Sequence, residues 1–104
     1  MNTDKYLNIS FSECDCFALA SRIYRDHGID IGHYSDLDFS DRWEPVSDPK
    51  KMDLIYVDFP GQGDHVGVCI GHGKFLHALE GKTPVIASIG FWKRHVKGIY
   101  RWRK

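Results

Sequence analysis

The sequence predicts an α+β domain, one amphipathic helix packed on an antiparallel sheet of about five strands. Three observations carry this. A single stretch with three- and four-residue apolar spacing lies in the first half. The second half is a succession of short β-rich runs separated by glycine and proline clusters. The whole is 104 residues long, enough for one domain (1–104) burying roughly 60–65% of its unfolded surface and too short for two.

The elements follow in chain order. Residues 1–12 are polar and irregular, with Tyr6, Leu7, Ile9 and Phe11 alternating weakly as in a short strand or arm. From Cys16 the positions Cys16, Phe17, Leu19, Ala20, Ile23 and Tyr24 recur on one helical face, and His27-Gly28 supplies a stop, so a helix is expected over about 15–27. Residues 29–51, rich in Asp, Ser and Pro, read as a long connection with one short helical turn around 37–43. Strands are then expected over 53–59, 65–70, 74–79, 84–88 and 96–102. Turns at Pro60-Gly61-Gln62-Gly63 and Gly71-His72-Gly73 separate the first three.

Composition excludes several classes. Apolar residues at 42% and charged residues at 27% are ordinary for a globular protein. No apolar run approaches the ~18 residues of a membrane span, and no basic-then-apolar signal segment opens the chain. The net charge of zero conceals an asymmetry: residues 1–53 carry 11 acidic and 6 basic side chains, and residues 54–104 carry 3 and 8. The basic run 93–104 reads chiefly as a solvated edge strand and tail. With no patterned aromatic platform, nucleic acid is not an expected partner. Three cysteines, Cys14, Cys16 and Cys69, form an odd set that argues against a disulfide scaffold.

The chemistry concentrates in Asp15-Cys16 at the helix start and in two strand histidines, His65 and His77. If Asp15 caps the helix, Cys16 is its first residue, where unpaired backbone N–H groups can hold an oxyanion. A nearby imidazolium would lower the thiol until thiolate is populated at neutral pH. His65 would act as base and His77 would orient it. A three-residue loop with Gly73 left-handed pairs Ile70 with Lys74, and paired residue numbers then sum to 144. His65 and His77 become diagonal neighbours on one face, Gly67 leaving room for them; a two-residue loop would put them on opposite faces. A zinc site of Cys14, Cys16, His65 and His77 is an alternative reading, weakened by the tight Cys-x-Cys spacing.

Together these residues resemble the NlpC/P60 family of cysteine peptidases. The resemblance rests on Asp15-Cys16-Phe17-Ala18-Leu19, Tyr24, Gly28-Ile29, Asp53-Leu54-Ile55, His65-Val66-Gly67-Val68 and Gly73-Lys74-Phe75-Leu76-His77-Ala78, and it covers about 11–101. It implies a papain-like fold, hydrolysis of amide bonds in peptidoglycan stem peptides, and catalytic roles for Cys16, His65 and His77, with no cofactor. Tyr6 is a loose counterpart of the upstream tyrosine that lines the oxyanion site in the family, beside Asp15. The segments Tyr24-Arg25-Asp26-His27-Gly28-Ile29 and Phe91-Trp92-Lys93-Arg94 resemble the phage tail assembly members. A tail-associated wall hydrolase, made in the cytoplasm and acting at the envelope with other tail proteins, is therefore expected. A structural tail-tip or adaptor protein of the same fold is the second reading. Departures lie in Ser12-Glu13-Cys14 before the nucleophile, Phe17-Ala18 after it, and Met52 before Asp53.

Overall fold

The helix forms where the apolar period predicts it. In the computed structural model, which describes residues 3–8, 15–32, 42–59, 63–78 and 83–103, α1 spans Cys16–Asp26. Asp15 is its N-cap: the extended backbone there lets Oδ1 accept from the Ala18 N–H at 2.9 Å, satisfying one of the orphan donors of the first turn. At the other end Gly28 takes the positive φ of +80° that closes the helix, and Ile29 N–H returns to the Tyr24 carbonyl. Leu19, Ala20, Ile23 and Tyr24 are buried along one face.

Six strands make one antiparallel sheet: β1 Trp43–Pro45, β2 Leu54–Phe59, β3 Gly63–Gly71, β4 Lys74–His77, β5 Val85–Ser88 and β6 Val96–Trp102. Their order is β1-β6-β2-β3-β4-β5. The extra strand is β1, inside the stretch read from sequence as a connection. Three residues ended by a proline carry too little alternation to register. What makes them a strand is pairing with β6 and burial of Trp43, whose ring meets Tyr24 at 5.7 Å and Trp102 at 5.1 Å, both edge-on. Residues 37–41 of the expected helical turn lie outside the described residues, and Trp43 at its end is strand. Near the N-terminus a short 3-10 turn, Asp4–Tyr6, replaces the expected arm, with Ile9 and Phe11 outside the described residues. The basic run is no edge strand either. β6 lies between β1 and β2, and Arg101 grips the buried Asp53 with Nε to Oδ1 at 2.9 Å and Nη2 to Oδ2 at 2.8 Å.

The β3–β4 hairpin is where sequence arithmetic meets geometry. Val68 pairs with Leu76 and Cys69 with Phe75, the predicted register in which partners sum to 144. The loop that produces it differs from the expected one. His72 and Gly73 both have positive φ, +57° and +72°, which is the backbone of a two-residue type I′ turn. Gly71, not Ile70, pairs with Lys74, and a bulge between Cys69 and Gly71 adds back the residue that the shorter loop removes. The two deviations cancel, so the histidines keep a common face.

Alternation divides the core in two. Leu54, Val66, Val68, Leu76 and Ala78 face α1 with Tyr6, Leu19, Ile23 and Tyr24. Ile55, Val57, Cys69 and Phe75 face the opposite side, covered by Ile89, Trp92, Val96 and Ile99. His65 and Gly67 share the parity of Cys69, and His77 that of Phe75. Both imidazoles therefore belong to the face away from the helix.

Candidate active site

The thiol is carried by the helix on one face and the imidazoles by strands facing the other, and the two sides approach each other at the end of β4. Cys69 N–H bonds the Asp53 carbonyl on β2, so odd-numbered residues of β3 turn their N–H toward β2 and even-numbered ones, Val66 included, toward β4. β4 ends at His77, one residue short of the position that would pair with Val66. The N-terminus of α1 fills this opening, and the Val66 N–H points at the Cys16 sulfur. Cys16 thus stands beside the residue next to His65, at the level where the ladder stops.

The two histidines are bonded to each other. His65 Nε2 lies 2.9 Å from His77 Nδ1, with ring planes at 83°. The approach depends on Gly67, across from His77: a Cβ there would stand 2.6 Å from Phe75 Cδ2, 2.9 Å from the Leu76 carbonyl oxygen and 3.0 Å from His77 Cβ. Phe75 stacks on the His77 ring at 4.7 Å and 22°. Phe75 and Trp92 flank His77; both lie in motifs quoted from the sequence, where neither was given a role at the site. Their roles are set by strand parity and by the β5–β6 loop folding back, which no local pattern records.

Burial decides the protonation states. It lowers His65 to about 4; it lowers His77 to about 4 as well, with the positive charge of a protonated His65 adding to the effect. Both rings are neutral at pH 7. Burial also raises the Cys16 thiol, opposed by the Val66 N–H, reinforced by the Asp15 carboxylate, and opposed again by the N–H groups of Phe17 and Cys16. At rest the Cys16 thiol and both imidazoles are accordingly neutral, where the sequence reading expected a thiolate–imidazolium pair. The physical reason is desolvation, which penalises both charged forms. In the tautomer where His65 Nε2–H donates to His77 Nδ1, the lone pair of His65 lies on Nδ1.

The remaining candidates fall elsewhere. Tyr6 is buried, but its hydroxyl donates to Asp26 Oδ2 at 2.6 Å at the C-terminal end of α1. That places it ~15 Å along the helix from Cys16. The Asp15 side chain is engaged in capping and contributes its negative charge to the thiol's surroundings. Cys69 is buried, and Cys14 of the zinc reading lies outside the described residues. Among the described residues no group of His, Cys, Asp and Glu is arranged to hold a metal, and no helix is long and apolar enough to cross a membrane.

One helix with a thiol at its start, packed on an antiparallel sheet that carries an imidazole pair, makes a papain-like α+β architecture. The chain belongs to the NlpC/P60 family, whose model matches residues 5–101. It is 27% identical over 92 residues, 84% of this chain, to the peptidoglycan DL-endopeptidase CwlO of Bacillus licheniformis. It is 38% identical over 60 residues, 53% of this chain, to the murein DD-endopeptidase MepH of Escherichia coli K12. These matches span 20% and 22% of the two relatives, so the chain corresponds to about a fifth of their length. Among solved structures, an NlpC/P60 family protein from Bacillus cereus superposes with TM-score 0.69 at 26% identity, covering 86% of this chain and 32% of that one. The NlpC/p60 domain of the peptidoglycan hydrolase SagA superposes with TM-score 0.60 at 22% identity, covering 84% and 75%.

Proposed function

We propose that this domain is a cysteine peptidase that hydrolyses amide bonds in peptidoglycan stem peptides, with Cys16 as nucleophile, His65 as base and His77 as the group that orients it. The observation that carries the reading is the 2.9 Å imidazole pair at the strand end where the Val66 N–H meets the Cys16 sulfur. Cys16 Sγ attacks the carbonyl carbon as its proton passes to His65 Nδ1, and backbone N–H groups at the start of α1 receive the developing oxyanion. Collapse breaks the C–N bond, and His65 returns the proton to the leaving amine. Water then attacks the thioester with His65 again as base, releasing the acid and the thiol.

The endopeptidase relatives support stem peptides as substrate, and the resemblance of the helix end and of the Phe91–Arg94 segment to phage tail members supports a tail-associated setting at the envelope. The test is incubation of purified wall with the protein and with Cys16→Ala, followed by chromatography of released peptides. The wild type is expected to release them. Cys16→Ala should lose at least ~10³-fold in rate. Absence of cleavage by the wild type, with tails still assembling, would instead mark a structural tail component.

A further inference from the structure

The strand that carries His65 also carries a charged group that the proposed reaction does not use. Asp64 precedes His65 on β3, and by alternation its side chain lies on the other face, the α1 side, with Val66 and Val68. Tyr56, paired with Val66 from β2, packs on the same core as Cys16, and its hydroxyl donates to Asp64 Oδ2 at 2.5 Å. Lys97 Nζ donates to Asp64 Oδ1 at 3.2 Å and stands 5.7 Å from the centre of the Tyr56 ring. Asp64 is two strand positions, about 7 Å, from Val66. The Val66 N–H is the one that meets the Cys16 sulfur.

A break in the ladder aims Lys97 at this place. Tyr56 pairs with Gly98 but Val57 pairs with Val96, so Lys97 is the extra residue of a bulge in β6. In an unbroken register Lys97 would stand opposite Val57 and share its face, the second core. Val96 packs there instead, and the Lys97 ammonium lies with Asp64 and Tyr56 on the α1 side. Bulges recur where a side chain is re-aimed beside a site. The pair is also open, the Asp64 and Lys97 side chains being 42% and 51% exposed. The Tyr56 hydroxyl, and after it the Lys97 ammonium, hold the Asp64 carboxyl below its ordinary range, so the carboxylate is charged at neutral pH. An ion pair this exposed contributes little to stability, which makes stability a poor reason for the bulge.

We infer that Asp64 and Lys97 form a charge-selective subsite for a stem-peptide side chain that ends in an ammonium and a carboxylate on one carbon. The inference rests on the proposed peptidase reading and says which substrate residue that site prefers. Each Asp64 oxygen spends one lone pair on Tyr56 or Lys97 and has another to accept from an incoming ammonium. The Lys97 ammonium has three donors, and Asp64 takes one. A carboxylate and an ammonium side by side complement a zwitterion at both ends. A side chain ending in an ammonium alone is drawn by Asp64 and repelled by Lys97, which is the basis of the selection.

Two soluble stem tetrapeptides that differ only in the third residue, diaminopimelate or lysine, test this. The wild type should favour the diaminopimelate peptide in kcat/KM by about fivefold, and Lys97→Gln should remove that preference. Asp64→Asn, which preserves an acceptor for Tyr56, should raise KM for both peptides. Calorimetric titration of Cys16→Ala with the same peptides should give the same preference in Kd, independently of turnover. Equal affinities for the two peptides, or a preference that survives Lys97→Gln, overturn the inference. A wild type that cleaves neither peptide, while Cys16→Ala still binds the diaminopimelate peptide preferentially, overturns the proposed function alone.

Discussion

The two faces of the sheet are built from the same alternating strands, yet they do different work. The face under α1 is a deep apolar core closed by a complete helix, and it delivers the thiol. The opposite face is covered by Ile89, Trp92, Val96 and Ile99, and it carries both imidazoles with the aromatic rings that pack on His77. The lesson is that the site belongs to neither face. The proposed site lies at the end of β4, where the Val66 N–H points at the Cys16 sulfur instead of at a ladder partner.

Three changes would break or sharpen this contrast. The largest effect is expected from Gly67→Ala, which inserts a methyl where Phe75, the Leu76 carbonyl and His77 already meet. We expect kcat to fall by about 10²-fold, because ~1 Å of displacement at the imidazole pair suffices, with destabilisation of about 1–3 kcal/mol by urea titration. Unchanged kcat would show that the second face tolerates loosening.

Asp15→Ala acts on the first face. Loss of the cap should cost about 1 kcal/mol. Because the Asp15 carboxylate raises the Cys16 thiol, its removal should also speed alkylation of Cys16 by iodoacetamide at pH 8, relative to Cys69. Slower alkylation would mean that the cap's ordering of the helix start outweighs its charge.

Acid titration separates the faces with the smallest perturbation. His65 and His77 are held near 4 in the folded protein against an ordinary 6.5, so the unfolded chain binds more protons between those values. Their contribution to stability is complete above pH 6.5 and is lost as pH falls toward 4. Thermal unfolding followed by circular dichroism should show a midpoint that declines over this window. In a His65→Asn, His77→Asn double variant the decline should be shallower.

Much of this was legible in the residues. The helix bounds, its Asp15 cap, the strand sequence of the second half and the shared face of His65 and His77 all follow from period, capping chemistry and hairpin register, which are properties of neighbouring residues. β1 was not legible, because three residues become a strand only when Trp43 is buried between Tyr24 and Trp102. The turn was misjudged in detail, since whether an extra residue sits in the loop or in a bulge depends on how β3 twists against β4.

What the sequence by itself determined is therefore the parts and their parity: a thiol at a helix start and two imidazoles on one strand face. Only the tertiary structure decided that the Val66 N–H meets the Cys16 sulfur at the end of β4, that Phe75 and Trp92 pack on His77, and that the resting pair is neutral. Those outcomes depend on burial. Desolvation is a property of everything packed around a group, and no spacing along the chain encodes it.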